Sequence, residues 1–469
     1  MRRGRSRWIW RSWRARFRCS SSVVAASRLR VASICVFGTW HQASILGPCL
    51  AELGHTVVGI SATPSDLDSL ASGQPPVYEP RLPELLARHL ADGSLRYDVD
   101  VRSAVDGSDF VLISLDTPVG PDDVPIVEPV FDAVRQVALG ARGRKVLVVT
   151  AQVPVGTCDR LLALAQRAGS GASWSIAYVP EFLRLGIAVD LFLRPDRIVI
   201  GSDDPGVSDS VAEIYAGIPA PIVRVGLRTA EMVKHASNAF LALSVSFINE
   251  IANLCEVSGA DAPAVAAAMK LDRRIGARAF LSPGLGFAGG TLGRDVRALQ
   301  ALGARSGIET RLLDSTMDVN AARGALVLDR LRASLGELSG RTVCLLGLTY
   351  KPGTSALRRS ASLELAEALI AAGAGVAAHD PMVPTSRASE LPTGLVVVDD
   401  VYAALAKADA AVLMTEWSDY TDLDWSRVAA DSPRMLVLDA RNALDQGAVT
   451  APGLRYWGIG RMSPGQEGL

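Results

Sequence analysis

Residues 284–295 (GLGFAGGTLGRD) bring a hydroxyl and a carboxylate into a stretch with five glycines. Because glycine has no side chain, backbone N–H groups can come close to a ligand, and Thr291 and Asp295 add polar oxygens to the same segment. The stretch therefore predicts an active-site loop. Taken alone, a glycine-rich surface turn explains its composition equally well.

Lys234 and Asn238 are two hydrogen-bond donors four residues apart in a segment with helical periodicity. On a helix this spacing directs both side chains to one face, where they can donate to a single oxygen of a ligand. An exposed helix face with a capping-type Asn is the alternative. His235 points to another part of the helix surface, and we interpret it as a packing residue.

Strand and helix signals alternate in the first half of the chain. An apolar run at 31–37 ends in Gly38, a helical pattern continues to Gly54, and a second apolar run follows at 56–60. This order is typical of the first unit of a dinucleotide-binding fold. Further buried-strand signals, at 110–115, 145–150 and 198–201, predict a doubly wound parallel sheet.

The pattern changes to long helices from about residue 229. One helical pattern covers 231–256 and another covers 262–269. A second α/β unit begins at 341–347, with further strand signals at 376–380, 410–415 and 435–439. We predict an α/β protein with two Rossmann-like doubly wound parallel-sheet domains joined by a long helical segment.

Composition excludes several classes of function. A formal net charge of -1 over 469 residues provides no overall field that would attract nucleic acid or an anionic membrane. No apolar run reaches the ~18–20 uninterrupted residues that span a bilayer. The six cysteines have neither paired spacing nor a nearby His, which argues against a disulfide framework and a metal site. We expect a soluble cytoplasmic protein.

Residues 1–29 differ from the rest of the chain, because they are rich in arginine and contain no Asp or Glu. This composition fits a targeting or membrane-surface segment. It also fits a start codon assigned too far upstream, since the first periodic element begins only after it. In both cases we expect a disordered extension outside the fold.

A series of short stretches, in order along the chain, carries a family resemblance that covers nearly all of it. The stretches are 51–55 (AELGH), 78–80 (YEP), 153–157 (VPVGT), 180–184 (PEFLR), 195–201 (PDRIVIG), 247–255 (FINEIANLC) and 347–354 (GLTYKPGT). The sequence resembles the UDP-glucose/GDP-mannose dehydrogenase family, most closely its UDP-glucose 6-dehydrogenase branch. The resemblance implies NAD-dependent oxidation of a sugar C6 alcohol, a nucleotide sugar such as UDP-glucose or a related UDP-hexose as substrate, and a homodimer or larger assembly.

The resemblance also assigns the parts of the chain. It implies an NAD-binding Rossmann-like domain at 30–215, a central helical dimerisation domain at 216–330, and a nucleotide-sugar (UDP)-binding Rossmann-like domain at 331–469. The glycine-rich loop 284–295 falls in the central domain, where the family has its active-site loop.

Catalytic roles follow from the resemblance, residue by residue. Lys234 and Asn238 match the catalytic Lys and Asn of the family, Glu181 its general base for acyl hydrolysis, and Asp295 the carboxylate that follows its nucleophilic thiol. Thr291 stands in the place of that thiol. A threonine hydroxyl is a far poorer nucleophile near neutral pH, so the second of the two oxidations is in doubt.

The cofactor motif of the family is altered in this chain. Where the family has G-x-G-x-x-G, residues 38–43 read GTWHQA, which keeps Gly38 for the tight turn and places Trp40 where bare backbone meets the pyrophosphate. Ala43 is an acceptable third small residue. Ser61 replaces the ribose-binding acid, which leaves NADP possible, although no Arg follows closely to bind a 2′-phosphate. We expect NAD binding to be weak, altered or lost. Further implied cofactor contacts are Thr117, Gln152 and Arg358.

The nucleotide-sugar contacts are better preserved. Lys351 and Arg441 match residues that bind the phosphates and sugar of the substrate, and cationic side chains suit a diphosphate. Arg274 matches the residue that reaches the site of a neighbouring subunit. Phe182, Leu183 and Gly286 match further substrate contacts.

Two main functions remain open from sequence, and a non-redox or different redox reaction on the same sugar is a third. The first is a nucleotide-sugar dehydrogenase that acts on the C6 alcohol and that stops at the aldehyde or continues slowly to the acid. The alternative is a redox-inactive homologue that binds a nucleotide sugar or a partner subunit, because the thiol, the second glycine and the ribose acid are all replaced.

Overall fold

The computed structural model of the chain describes residues 31–61, 63–120, 125–168, 171–288, 290–357 and 359–461. The predicted extension at 1–29 lies outside the described residues. The chain divides into two compact units, residues 1–236 and 237–469. The domain boundaries at 215/216 and 330/331 stay predictions.

Eight strands form one sheet in the first unit: β1 (Ser33–Phe37), β2 (Thr56–Ile60), β3 (Leu95–Asp98), β4 (Phe110–Ile113), β5 (Gly143–Val149), β6 (Ala172–Tyr178), β7 (Ile198–Gly201) and β8 (Ile222–Val225). Their order across the sheet is β3-β2-β1-β4-β5-β6-β7-β8. Neighbouring strands are parallel except β6 and β7, which meet antiparallel at Tyr178 and Gly201. The order reverses between β1 and β4, and doubly wound sheets bind ligands at the carboxyl edge of such a switch point.

Apolar layers cover both faces of this sheet. Ile34 and Val36 of β1 pack into one buried layer, and Cys35 and Phe37 pack into the other, because successive strand residues face opposite sides. This two-sided burial explains the continuous apolar run that predicted the strand. The helices described in this unit are α1 (His41–Glu52), α2 (Pro64–Ala71), α3 (Leu82–Ala91), α4 (Val101–Asp106), α5 (Glu128–Gly140), α6 (Thr157–Arg167), α7 (Ala188–Leu193) and α8 (Pro205–Ile214).

The long helix α9 (Leu227–Ser258) has 32 residues and continues from the first unit into the second. It is long and apolar enough to cross a membrane, with a mean hydropathy of 1.4 over an 18-residue window, of which 44% is buried. The core helix of a soluble protein passes the same test. The apolar-run criterion misses this helix because Asn238, Asn249 and Glu250 interrupt the run; both asparagines are buried.

The second unit continues with helices and then forms a second sheet. Its helices before the sheet are α10 (Ala262–Lys270), α11 (Leu292–Ser306) and α12 (Arg311–Leu335). Its strands are β9 (Thr342–Leu346), β10 (Gly375–His379), β11 (Leu395–Val397), β12 (Ala410–Leu413), β13 (Leu436–Asp439) and β14 (Arg455–Gly458). The order is β11-β10-β9-β12-β13-β14, with every pair parallel and a switch point between β9 and β12.

Short helices connect the strands of the second sheet. They are α13 (Ala361–Ala371), α14 (Val401–Leu405), α15 (Ser418–Thr421), α16 (Trp425–Asp431) and α17 (Gln446–Thr450), together with a 3₁₀ turn at Thr385–Glu390. Buried apolar clusters again lie on both faces of the sheet. The structure confirms the predicted fold class of two doubly wound α/β sheets with a long helix between them in the chain.

Candidate active site

The turn after β1 is closed tightly against the end of β4. Gly38 has a φ of 138°, and a Cβ at this position would lie 2.2 Å from the carbonyl oxygen of Ser114. The N–H of Gly38 donates to the carbonyl oxygen of Ile60 at 2.9 Å. Only glycine tolerates this φ and this close contact, so the turn at the β1–β4 switch point requires Gly38. Its role in cofactor binding stays a prediction.

Trp40 is the N-cap residue of α1, and its indole side chain is 50% exposed. Its φ of -74° and ψ of -177° are open to any residue, so the backbone does not require glycine here. The first-turn N–H groups of α1 lack intrahelical partners, as at the start of any helix, and favour an anion. Gln42 donates to the carbonyl oxygen of Thr150 at 3.1 Å, and Ala43 is buried. The helix N-terminus is therefore open to an anion, with an exposed indole beside it.

Three other predicted cofactor residues lie at the carboxyl edge of the first sheet. Ser61 follows β2, and its Oγ accepts a hydrogen bond from the N–H of Thr63 at 3.0 Å, so a hydroxyl ends this strand. Thr117 donates its Oγ1 to the carbonyl oxygen of Gln152 at 3.0 Å, and both residues are buried. This bond joins the loops that follow β4 and β5. Arg358 lies outside the described residues.

Glu79 is a buried carboxylate that braces the start of α1. One of its oxygens lies 3.1 Å from Nε2 of His41 and accepts from the N–H of Gly186 at 2.8 Å; the other accepts from the N–H of Ala188 at 2.6 Å. Burial by itself would raise the pKa of Glu79, but these hydrogen bonds outweigh it and lower the pKa. The only sequence signal for this brace was the matching stretch 78–80.

Lys234 and Glu181 meet within the first unit. The buried Lys234 donates its Nζ to the carbonyl oxygen of Glu181, and the same Nζ lies 3.7 Å from Oε1 of Glu181. The other carboxylate oxygen of Glu181 accepts from the N–H of Leu183 at 2.6 Å. The ring of Phe182 lies 5.1 Å from Nζ. The structure thus brings together four residues that the sequence assigned to catalysis and substrate binding.

Two buried side chains anchor the first turns of α9. His235 has its Nε2 2.8 Å from the carbonyl oxygen of Val153. Glu231, which is fully buried, accepts from the N–H groups of Gly156 and Cys158 at 2.6 and 2.9 Å, at the start of α6. A carboxylate in this place satisfies N–H groups that the helix cannot bond itself. These contacts fix the part of α9 that carries Lys234.

Asn238 and Asp295 form a buried pair within the second unit. Nδ2 of Asn238, on α9, donates to Oδ2 of Asp295, on α11. Thr291 is the N-cap residue of α11, and its carbonyl oxygen accepts from the N–H of Asp295 at 3.2 Å. Thr291 is exposed and its side chain makes no capping hydrogen bond. The hydroxyl therefore stands at a helix N-terminus, one turn before a carboxylate.

The described cysteines are buried and lie outside the glycine-rich loop. The free, buried cysteines are Cys35, Cys49, Cys158, Cys255 and Cys344. Burial raises the pKa of each of these thiols, to about 12 for Cys344. A thiol with a raised pKa carries little thiolate near neutral pH. The nucleophile that the loop itself offers is the hydroxyl of Thr291.

Three side chains from α9 and α12 hold the start of the glycine-rich loop. Asn249 accepts from the N–H of Gly284 at 2.8 Å, and Nε of Arg323 donates to the carbonyl oxygen of Gly284 at 3.1 Å. Asn320 bonds both the N–H and the carbonyl oxygen of Phe287, at 2.8 and 3.0 Å. These partners lie 33 to 39 residues from the loop, so local sequence patterns gave no signal for them.

Replacing Gly286 by alanine should destabilise the second unit. Gly286 has a φ of 85°, and a Cβ there would lie 2.4 Å from Oδ1 of Asn320. The strained backbone costs about 1–3 kcal/mol, and displacement of Asn320 should add about 1 kcal/mol. Gly276→Ala is the matched control, because Gly276 has a φ of 90° with open space around it. Urea unfolding should show the larger loss for Gly286→Ala; equal losses would contradict the predicted clash.

Lys351 and Arg441 lie at the carboxyl edge of the second sheet. Lys351 follows β9, and its Nζ is 5.7 Å from the ring centre of Tyr350. Arg441 follows β13; its Nε donates to the carbonyl oxygen of Met414 at 2.6 Å and lies 3.5 Å from a carboxylate oxygen of Glu416. Burial lowers the pKa of Arg441. The structure places two cationic groups where a doubly wound sheet binds ligands.

Asp380, which follows β10, orients the loop that carries Lys351. Its Oδ2 accepts from the N–H groups of Leu348 and Thr349 at 2.7 and 2.9 Å, and from Nε1 of Trp417 at 3.2 Å. An acid after the second strand is a standard feature of dinucleotide-binding folds, where it meets a ribose. Here the carboxylate oxygen Oδ2 of Asp380 accepts its hydrogen bonds from groups of the protein itself. The sequence could have indicated this residue, because Asp380 ends the second predicted strand of the second α/β unit.

Arg274 lies on the surface, with its guanidinium bonded to the carboxylate of Asp272 at 2.6 Å. Its predicted reach into a neighbouring subunit stays a prediction. Within the part of the chain that the structure describes, no group of three or more His, Cys, Asp or Glu side chains could hold a metal ion.

The predicted site residues are thus divided between the two units. The first unit holds the cofactor turn together with Glu181, Phe182, Leu183 and Lys234. The second unit holds Asn238, Gly286, Thr291 and Asp295 of the loop and its partner helix, and the phosphate-binding candidates Lys351 and Arg441. Lys234 and Asn238 are one turn apart on the single helix α9.

Three models of one family match successive parts of the chain. Residues 32–219 match the NAD binding domain of the UDP-glucose/GDP-mannose dehydrogenase family, residues 228–322 match its central domain, and residues 344–446 match its UDP binding domain.

Known proteins match along nearly the whole length. UDP-glucose 6-dehydrogenase YwqF of Bacillus subtilis (strain 168) is 34% identical over 432 residues, 92% of this chain and 98% of that enzyme. UDP-glucose 6-dehydrogenase of Rhizobium meliloti (strain 1021) is 37% identical over 435 residues, 91% of this chain and 99% of that enzyme. The structure of a UDP-glucose dehydrogenase from the archaeon Pyrobaculum islandicum superposes with a TM-score of 0.86 at 33% identity, covering 93% of this chain and 100% of that one. The chain therefore belongs to the UDP-glucose/GDP-mannose dehydrogenase family.

Proposed function

We propose that this protein is an NAD-dependent dehydrogenase that oxidises the C6 alcohol of a UDP-hexose, with UDP-glucose as the first candidate, and that the aldehyde accumulates because the second oxidation is slow. The observation that carries the proposal is the loop itself. It holds Asp295, hydrogen-bonded to Asn238, and the hydroxyl of Thr291 at the helix N-terminus. By the sequence resemblance, Thr291 stands where the family has its nucleophilic thiol. The names of the relatives support the substrate class.

The first unit fits a dinucleotide, with altered contacts. The Gly38 turn leaves no room for a Cβ, and the free N–H groups at the start of α1 suit a diphosphate. NAD accepts a hydride in this chemistry. The half-exposed indole of Trp40 and the hydroxyl of Ser61 replace two usual contacts, so we infer weaker binding than a complete motif would give.

Lys234 and Asn238 are the donors that this proposal assigns to the C6 oxygen. Both are buried, and one turn of α9 separates them, which suits two hydrogen bonds to one oxygen. In the first oxidation the C6–H bond breaks as the hydride leaves, the O–H proton passes to solvent, and the aldehyde forms. This step requires no thiol.

In this proposal the second oxidation is slow because position 291 carries a hydroxyl in place of a thiol. In a thiol enzyme the sulfur adds to the aldehyde, and the adduct can lose a second hydride to give an acyl group that water hydrolyses. Thr291 offers an exposed hydroxyl without a side-chain hydrogen bond to a capping N–H. The remaining route is addition of water to the aldehyde, followed by hydride loss from the gem-diol, which yields the acid directly. Without covalent capture this route should be slow.

The carboxyl edge of the second sheet supports binding of a nucleoside diphosphate. Lys351 and Arg441 supply two positive groups at the end of β9 and β13, and Asp380 holds the loop before Lys351. Charge-assisted hydrogen bonds from such groups are strong toward phosphate oxygens. The match of residues 344–446 to the UDP binding domain of the family supports uridine as the base.

A second copy of this chain is the proposed partner of α9. Phe240, Phe247 and Leu254 recur every seven residues and are 67%, 45% and 57% exposed, so they form an apolar stripe on one helix face. Phe247→Glu should convert a dimer or larger assembly into monomers, as measured by sedimentation velocity. Val396→Glu, at an exposed apolar residue of β11, is the control. A wild-type monomer would contradict this proposal.

The test of function is incubation with UDP-glucose and NAD, followed by the absorbance of the reduced nicotinamide and by an aldehyde-trapping reagent. The proposal predicts reduced cofactor together with trapped aldehyde. If no reduction occurs while UDP-glucose still raises the melting temperature, the protein is a redox-inactive homologue that binds a nucleotide sugar.

A further inference from the structure

A carboxylate that lies five residues after Ser61 reaches the turn that follows β1. Thr39 is the residue directly after Gly38, and its Oγ1 donates to Oδ2 of Asp66 at 3.3 Å. Asp66 lies in the first turn of α2, and its side chain is exposed. We propose that Asp66, held by Thr39, takes the part of the missing ribose-binding acid and selects NAD over NADP. This inference rests on the proposed dinucleotide function.

The strand register brings the relevant groups to one edge. Phe37 pairs with Ile60 at the ends of β1 and β2, and the N–H of Gly38 donates to the carbonyl oxygen of Ile60 at 2.9 Å. Gly38 and Ser61, which follow directly, therefore lie at the carboxyl end of these strands, and Thr39 is the next residue after Gly38. In dinucleotide-binding folds the acid at the end of the second strand hydrogen-bonds the adenosine ribose at this edge.

The carboxylate of Asp66 is in a suitable electrostatic position. A negative side chain in the first helical turn is stabilised by the N–H groups and the dipole of α2. Together with the hydroxyls of Thr39 and Ser61, it offers acceptors for the two O–H groups of a ribose. In this proposal the ribose-binding acid is supplied by α2, which follows β2, instead of by the residue at the end of β2.

The same position disfavours a 2′-phosphate. A phosphate in place of the ribose hydroxyl would bring two negative groups together, and like charges repel strongly when partly desolvated. Residues 61–80 contain Asp66, Asp68 and Glu79 but no Lys or Arg, so this segment offers no cation to a phosphate. The absence of Arg after β2 and the presence of Asp66 therefore point to the same cofactor.

Equilibrium binding to the full-length protein, measured by calorimetry without sugar nucleotide, tests the inference. The wild type should bind NAD at least about tenfold more tightly than NADP, since hydrogen bonds to a charged group commonly contribute that factor. Asp66→Asn should lower the affinity for NAD about tenfold, so that the affinities for NAD and NADP become similar. Thr39→Val should weaken the binding of NAD by a smaller factor. It leaves the carboxylate of Asp66 in place but removes the hydrogen bond from Thr39 that orients it.

Asp68→Asn is the matched control, because Asp68 is an exposed acid on the same helix α2, and its backbone carbonyl oxygen accepts from the N–H of Ser72 at 3.0 Å. It should leave both affinities unchanged, and the melting temperatures of both Asn variants should match the wild type. If the wild type binds NAD but Asp66→Asn behaves like Asp68→Asn, the assignment of Asp66 is wrong and the dehydrogenase proposal survives. If the wild type binds neither dinucleotide, both are overturned.

Discussion

Thr291→Cys should raise the rate at which UDP-glucose is converted to the 6-carboxylate by on the order of a hundredfold. The new thiol would stand at the N-terminus of α11, one turn before Asp295, where the helix dipole lowers a thiol pKa. A thiolate adds to an aldehyde far more readily than a hydroxyl does. The rate of the first oxidation should change little, because that step uses donors elsewhere. Product analysis after rapid quenching measures both rates.

Thr291→Ser is the control for this substitution, because it keeps a hydroxyl and should leave the rate of acid formation close to the wild-type value. If Thr291→Cys binds NAD and UDP-glucose as the wild type does and still forms no additional acid, our explanation of position 291 is wrong. If Thr291→Cys does form more acid, alkylation of the new thiol should restore the wild-type product pattern.

Lys234→Met should lower kcat for the first oxidation by about 100- to 1,000-fold, which is the usual cost of removing one donor to a developing oxyanion. In the structure, Nζ of Lys234 is buried, bonds the carbonyl oxygen of Glu181 and faces the ring of Phe182. Methionine preserves the length of the side chain and removes its hydrogen bonds. Steady-state rates of cofactor reduction at saturating UDP-glucose measure the effect.

A structural role for Lys234 would give a different result. Loss of its bond to Glu181 alone would lower the melting temperature and raise KM with kcat nearly unchanged. Lys407→Met, at an exposed lysine, controls for loss of one positive charge. A Lys234→Met variant with wild-type kcat would contradict the assignment of Lys234 as a catalytic residue.

Local sequence was sufficient for most strands that are buried on both faces and for the long helices, although the largely buried strand β6 was not predicted. The run ending at Gly38 predicted β1, because a parallel strand buried on two sides must be apolar throughout. The strand β3 (Leu95–Asp98) was not predicted, because it is short and carries charged side chains at the edge of the sheet. The antiparallel contact of β6 with β7 depends on long-range pairing that no local pattern encodes.

The candidate site shows the same division. Spacing on a helix predicted that Lys234 and Asn238 share a face, and the position of Asp295 one turn after Thr291 followed from the loop sequence. The partners of these groups could not be predicted, because Glu181 lies 53 residues from Lys234 and Asn238 lies 57 residues from Asp295. Such contacts are decided by the packing of whole elements.

The number of cofactor molecules reduced per UDP-glucose consumed tests the central claim most directly. In a reaction with limiting UDP-glucose and excess NAD, the proposal predicts about one reduced cofactor per sugar in the initial phase, with aldehyde recovered by the trapping reagent. A value of two from the earliest time points, with no trapped aldehyde, would show that the chain completes both oxidations without a thiol and would contradict the claim.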